Sequence, residues 1–210
     1  MGLEANDLSM KIGARTLFQS VSLQCTKGSS LAIVGESGAG KTTLLNMLAL
    51  ILPTSTGTIL FDGVQAQSWN ERRIRNFWKT KVSFILQDAG LDDSETVAYN
   101  ITLKHGLRRS HKDEEAHAAA QQVGLVERLK SQIVELSGGE QRRVAIARAI
   151  YKQADYLFAD EPTASLDDSN RQLVQDLLVE QAAKGATVII ATHDLALAAA
   201  CDQTFTLRKI

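Results

Sequence analysis

Residues 35–42 read Gly-Glu-Ser-Gly-Ala-Gly-Lys-Thr, set between an apolar run, Leu31-Ala32-Ile33-Val34, and a helical pattern that starts at Lys41. Few features restrict a fold more. Glycines let backbone N–H groups wrap an anion without Cβ clashes. The helix that follows aims the positive end of its dipole at the same point. The apolar strand must be buried in a sheet, and ligands of open α/β sheets bind beyond the carboxyl ends of the strands. The eight residues form a complete Walker A loop, in which Lys41 reaches the β- and γ-phosphates of a nucleotide and Thr42 ligates Mg²⁺. Gly35, Glu36, Ser37, Gly38, Ala39, Gly40, Lys41, Thr42 and Thr43 are therefore the candidate nucleotide-binding residues.

The rest of the chain repeats the strand-then-helix alternation of an α/β fold with a mostly parallel sheet. Strands are expected at Val82–Leu86, ending at Gln87, at Tyr156–Ala159, ending at Asp160, and at Thr187–Ala191, ending at His193. A helix over Lys41–Leu50 places Leu44, Leu45 and Leu48 on one face. Leu17–Leu23 and Thr58–Phe61 read as short antiparallel strands beside the main sheet. Between Gln87 and Leu136 the β signal fades. Ser110 and Asp113 suit a capping box, and Ala116, Ala119, Ala120 and Val123 fall at helical spacing. Leu173, Val174, Leu177 and Leu178 mark another amphipathic helix, stopped near Gly185. The expectation is one domain over 1–210 with a helical insert at about 88–150.

Composition narrows the function classes. The 210 residues are 44 % apolar and carry a net charge of −1, so no global field favours nucleic acid or anionic lipid. Cys25 and Cys201 are far apart in the sequence, form no CxxC pair, and read as buried thiols in a reducing compartment. Met1–Ser9 lacks the basic and apolar blocks of a signal peptide. The apolar stretch around Leu48–Leu52 falls far short of the ~20 residues that span a bilayer. These features point to a soluble, cytoplasmic chain. Trp69 and Trp78 lie around a basic stretch, Arg72, Arg73, Arg75, Lys79 and Lys81. Either it is a solvated face with its aromatics packed inward, the favoured reading, or it is a nucleic-acid platform. His105, His111 and His117 read as surface residues.

Asp160 and Glu161 end an apolar strand, placed for a carboxylate that holds Mg²⁺ and a second that polarises an attacking water. Leu136-Ser137-Gly138-Gly139-Glu140-Gln141 opens a helix over Glu140–Tyr151, and its glycines and serine make a second anion-directed helix start. Arg142 and Arg143 lie on a solvated face of that helix or brace the insert.

With these motifs in this order, the chain resembles the ATP-binding cassette (ABC) family over essentially its whole length. Leu136–Gln141 matches the family's signature motif, Gln87 its Q-loop, Asp160-Glu161 its Walker B carboxylates, Ser165-Leu166-Asp167 its D-loop and His193 its switch histidine. The resemblance implies a P-loop NTPase fold with an N-terminal antiparallel β subdomain and an inserted α-helical subdomain. It implies ATP and Mg²⁺ as ligands, with Thr42, Gln87 and Asp160 around the metal. It assigns hydrolysis to Glu161, His193, Gln87 and Lys41. It further implies a homodimer in which Ser137, Gly138, Gly139 and Asp167 complete the partner's site, an integral membrane permease as partner, and a peripheral position at the inner face of the membrane. Nucleic acid is not an expected partner. A soluble ABC-type ATPase of cofactor assembly or nucleic-acid metabolism is the alternative. The compact length, with Leu44-Leu45-Asn46, Pro53-Thr54-Ser55 and Tyr99-Asn100-Ile101, resembles the lipoprotein-releasing and macrolide- or bacteriocin-efflux branch. Where the family places an aromatic residue against adenine, this chain has Ile12, and Phe18 lies one strand position too late.

Overall fold

The computed structural model describes residues 1–54, 56–86, 88–104 and 113–209. Two sheets share one core. The first is antiparallel, in the order β2 (Arg15–Thr26), β1 (Gly2–Ile12), β4 (Thr56–Phe61), β5 (Val64–Gln65). The second has five strands in the order β6 (Val82–Ile85), β7 (Tyr156–Asp160), β8 (Thr187–Ala191), β3 (Ser30–Val34), β9 (Gln203–Thr206). All of its pairings are parallel.

Every residue of β7 and β8 is buried, as a strand covered on both faces requires. Alternation then divides their side chains. Leu157, Ala159, Val188 and Ile190 enter one apolar cluster with the helices α5 (Gly138–Lys152) and α6 (Asp168–Ala183). Tyr156, Phe158, Ile189 and Ala191 enter the other, with α1 (Lys41–Leu48) and the antiparallel sheet. The segment after β6 carries α3 (Val97–Thr102) and α4 (Glu114–Gln122), and both pack on α5. Ala116, Ala119, Ala120 and Val123 are buried there, as their spacing requires.

Several elements differ from the sequence reading. Leu17–Leu23 and Thr58–Phe61 lie in antiparallel strands as expected, but a strand that was not foreseen, β1, separates them. The basic stretch forms a helix, α2 (Glu71–Lys81), capped by the Asn70 side chain, which accepts from the Arg73 N–H. Its aromatics point inward: Trp69 packs on Phe61 and Phe77, and Trp78 Nε1 donates to the Ala49 carbonyl at 2.8 Å. Asp113 is the N-cap of α4 through the Ala116 N–H, so the helix begins at Glu114, and Ser110 lies outside the described residues. His117 is exposed, whereas His105 and His111 also lie outside the described residues. α6 ends at Lys184 and Gly185 as expected, but Leu173 is exposed while Val174, Leu177 and Leu178 form its buried side. Cys25 is buried and Cys201 only half-buried. Burial pushes both thiols up to about 11, away from thiolate chemistry.

Candidate nucleotide-hydrolysis site

The strand order explains the site. β7, β8 and β3 are neighbours, so the residues at and just past their carboxyl ends meet: Asp160-Glu161 from β7, His193 from β8 and the glycine loop from β3. A cavity of about 880 Å³ opens there, lined by Gly35–Gly38, Gly40, Lys41, Thr42, Thr43, Glu161, Ala164 and His193, together with Ile12, Arg15 and Leu17.

Two glycines are dictated by their surroundings. A Cβ on Gly35 would lie 2.4 Å from the Leu207 carbonyl oxygen. Gly40 has φ 99° and rests on the Phe18 ring, which a Cβ would approach to 3.1 Å. Gly40 also begins α1 without a side-chain cap. The N–H groups of the first helical turn are thus available to an anion.

Lys41 is buried, and its ammonium donates to the Gly35 and Glu36 carbonyls at 3.0 and 3.4 Å, next to Glu161 Oε1 at 4.0 Å. Thr42 Oγ1 donates to Asp160 Oδ1 at 3.1 Å. That pairing gives a hydroxyl and a carboxylate oxygen side by side, the hard donor type that Mg²⁺ selects. Among the described residues no group of three or more His, Cys, Asp or Glu forms a self-sufficient metal cage. Burial, with Glu161 alongside, raises Asp160 above the usual carboxylate range. Glu161 itself sits in a left-handed conformation at φ 46°, held by its N–H on the Ala191 carbonyl at 2.8 Å. That turn carries its carboxylate out of the strand direction and into the cavity. Gln87 lies outside the described residues.

Ser137, Gly138, Gly139 and Asp167 do not line this cavity. Ser137 caps α5 in a capping box with Glu140, so the helix starts at Gly138, two residues before the expected Glu140. Ser137 and Gly138 are exposed. Asp167 caps α6, and bonds from Ser169 and Asn170 hold its carboxyl far below the ordinary range. Arg142 and Arg143 correct the expectation of a solvated face. Arg142 is buried, with Nε donating to the Pro162 carbonyl at 3.0 Å, and Arg143 donates to Asn170 Oδ1 at 2.6 Å. They brace the loop after Glu161 and the start of α6.

A family model described as ABC transporter matches residues 18–164. The chain belongs to the ABC transporter family. Its cassette is 35 % identical to the lipoprotein-releasing system ATP-binding protein LolD of Syntrophus aciditrophicus, over 91 % of this chain and 88 % of that protein. It is 32 % identical to the macrolide export ATP-binding/permease protein MacB of Campylobacter jejuni, over 96 % of this chain but 32 % of that longer protein. Among solved structures it superposes on MJ0796, a dimeric bacterial ABC transporter cassette, with a TM-score of 0.85 over 98 % of this chain and 94 % of that one, at 24 % identity. The cassette is thus an ABC ATPase of the LolD and MacB branch.

Arg15, Leu17 and Ala164 line the cavity but were not among the residues expected there. Arg15 lies directly across the β1–β2 hairpin from Ile12, and its Nη2 donates to the Gly38 carbonyl at 3.5 Å. A two-residue turn, Gly13-Ala14, between strand-like segments was the available signal.

Proposed function

We propose that two copies of this chain dock head to tail, hydrolyse ATP to ADP and phosphate at two shared sites, and so drive a membrane permease in export or mechanical work. The observation that carries the reading is a separation. The signature residues Ser137 and Gly138 are exposed at a helix start, with Gly139 buried behind them, yet the cavity of their own chain includes none of the three. A second copy would supply to each glycine loop the anion-directed helix start that its own chain holds elsewhere. The relatives are the ATP-binding components of a lipoprotein-releasing system and of a macrolide export protein, which favours transport over a soluble assembly ATPase.

Within each site, Lys41 and the loop N–H groups hold the β- and γ-phosphates. Thr42 and Asp160 are the described residues that would hold Mg²⁺, with Gln87 following β6. When bound, Mg²⁺ would neutralise charge building on the phosphate oxygens. Glu161 orients and polarises the attacking water, and His193 positions Glu161. Asp167 completes the partner-facing loop. The whole chain acts as one cassette, its segment at about 88–150 forming a helical lobe on the common core. No described helix is long and apolar enough to cross a membrane. In this reading the permease holds the cassette at the inner face of the cell membrane.

The test is complementation. Ser137→Arg and Lys41→Ala chains should each be inactive alone. Mixed, they form heterodimers in which one site keeps both residues, and ATPase activity should return. No recovery despite confirmed subunit exchange would overturn the shared-site reading, as would wild-type specific activity that stays constant down to fully monomeric dilution.

A further inference from the structure

The glycine loop sets where the phosphates of a nucleotide lie, and Glu161 and His193 set the side for the terminal one. Apart from Ala164, the cavity lining that remains for the base is Ile12, Arg15 and Leu17. Leu17 is buried in the strand and Ile12 is 61 % exposed, but neither offers a planar face. Phe18, the nearby aromatic, is spent beneath Gly40. Among the described residues of the lining, the planar group other than His193 at the hydrolytic end is the Arg15 guanidinium. Ile12 and Arg15 are register partners at the tip of the β1–β2 hairpin, so their side chains leave the same side of the ribbon. The Arg15 side chain is exposed, and its Nη2 reaches the Gly38 carbonyl at 3.5 Å, which places the guanidinium beside the glycine loop.

We propose that Arg15 stacks its guanidinium on the nucleotide base, with Ile12 beside it, and thereby sets a preference for purine nucleotides. The proposal rests on the nucleotide site described above. An arginine plane stacks on bases much as an aromatic ring does, with a cation–π contribution a lysine cannot reproduce in the same geometry. A purine presents the larger face, so the contact discriminates by base while the phosphate contacts stay common to all nucleotides.

The experiment measures binding of ATP, CTP and inorganic tripolyphosphate to wild type, Arg15→Ala and Arg15→Lys. Stacking predicts that both variants lose about two- to fivefold in ATP affinity. They should lose less for CTP and nothing for tripolyphosphate. An equal loss for all three ligands, with rescue by lysine, would overturn it in favour of a phosphate contact. Unchanged ATP affinity in Arg15→Ala would overturn it outright. Melting curves of the variants check that this exposed position leaves the fold intact. Failure of the nucleotide reading itself would be distinct: wild type would bind neither ATP nor tripolyphosphate.

Discussion

Glu161 and His193 are bound to each other twice: the imidazole Nδ1 lies 2.8 Å from Glu161 Oε2, and the His193 backbone N–H donates to the same oxygen at 3.2 Å. The Thr192 hydroxyl donates to it as well, at 3.2 Å. Oε1 is left facing the Lys41 ammonium. One oxygen is therefore committed to holding the carboxylate in place, and the other faces Lys41 in the cavity.

Glu161→Gln tests that division. Its carbonyl can replace Oε2 against the same donors, but the amide left on the other side cannot accept a proton. Turnover should fall by about 10²–10⁴. ATP affinity should persist, and size-exclusion chromatography with ATP and Mg²⁺ should show a trapped dimer. Near-normal turnover would remove Glu161 from the mechanism.

Asp160 gives a pH-linked prediction. Its folded-state value is raised above the unfolded one, chiefly by burial. Its contribution to stability is therefore full below the unfolded value and is lost as pH rises through the raised one. Asp160→Asn removes that loss while keeping an acceptor for Thr42. Without Mg²⁺, the variant should melt higher than wild type at neutral pH, and the gap should close on acidification. Mg²⁺-dependent turnover should be abolished. A variant that melts lower at neutral pH would contradict the argument.

Gly139 and Asn170 join the signature helix to the loop before α6. A Cβ on Gly139 would lie 2.6 Å from Asn170 Cγ. Asn170 in turn donates to Asp167 Oδ2 at 2.6 Å and accepts from Arg143. Gly139→Ala should destabilise by about 1–3 kcal/mol through overpacking. In an Asn170→Gly background the same change should cost about 0.5 kcal/mol or less, a coupling that denaturant titrations of the four chains would read as a double-mutant cycle. Additive losses would show that the two positions are independent.

Ile12→Tyr should tighten ATP binding. Aromatic contact adds roughly 0.5–1.5 kcal/mol beyond area burial, or about two- to tenfold in affinity. Ile12 is 61 % exposed, so the ring has room and the melting temperature should hold. Titration calorimetry and a melting curve on one sample decide the matter. A destabilised chain without tighter binding would refute the base-facing placement.

What the sequence made readable was whatever local rules govern. The apolar runs that became β3, β6, β7 and β8 are buried strands, and Ala116, Ala119, Ala120 and Val123 are the inner stripe of α4. β1 escaped because it does not alternate cleanly. Asp7 takes φ 55° and the register with β2 shifts repeatedly between Ala5 and Lys11, which scrambles the period of two. Arg142 and Arg143 looked like surface residues because their partners, Pro162 and Asn170, are distant in sequence and become neighbours only through packing of α5 and α6. Leu173 looked like core because its spacing fits a helical face, yet the buried stripe of α6 runs one residue further along. Glu161, His193 and the glycine loop could be assigned as a group because each follows a strand. Their adjacency depends on the strand order, which no local pattern encodes.

The two-residue Gly13-Ala14 turn has a consequence of another kind. It places Ile12 and Arg15 on a ribbon tip whose only described tie to the glycine loop by hydrogen bond is the long contact from Arg15 to Gly38. The glycine loop, Glu161 and His193 hang instead from the parallel sheet. Parts so loosely joined can diverge at different speeds: a lineage could exchange the tip and alter its fuel preference while inheriting the cleavage machinery unaltered. In such a chain, fuel choice is an adjustable trait and the power stroke an heirloom.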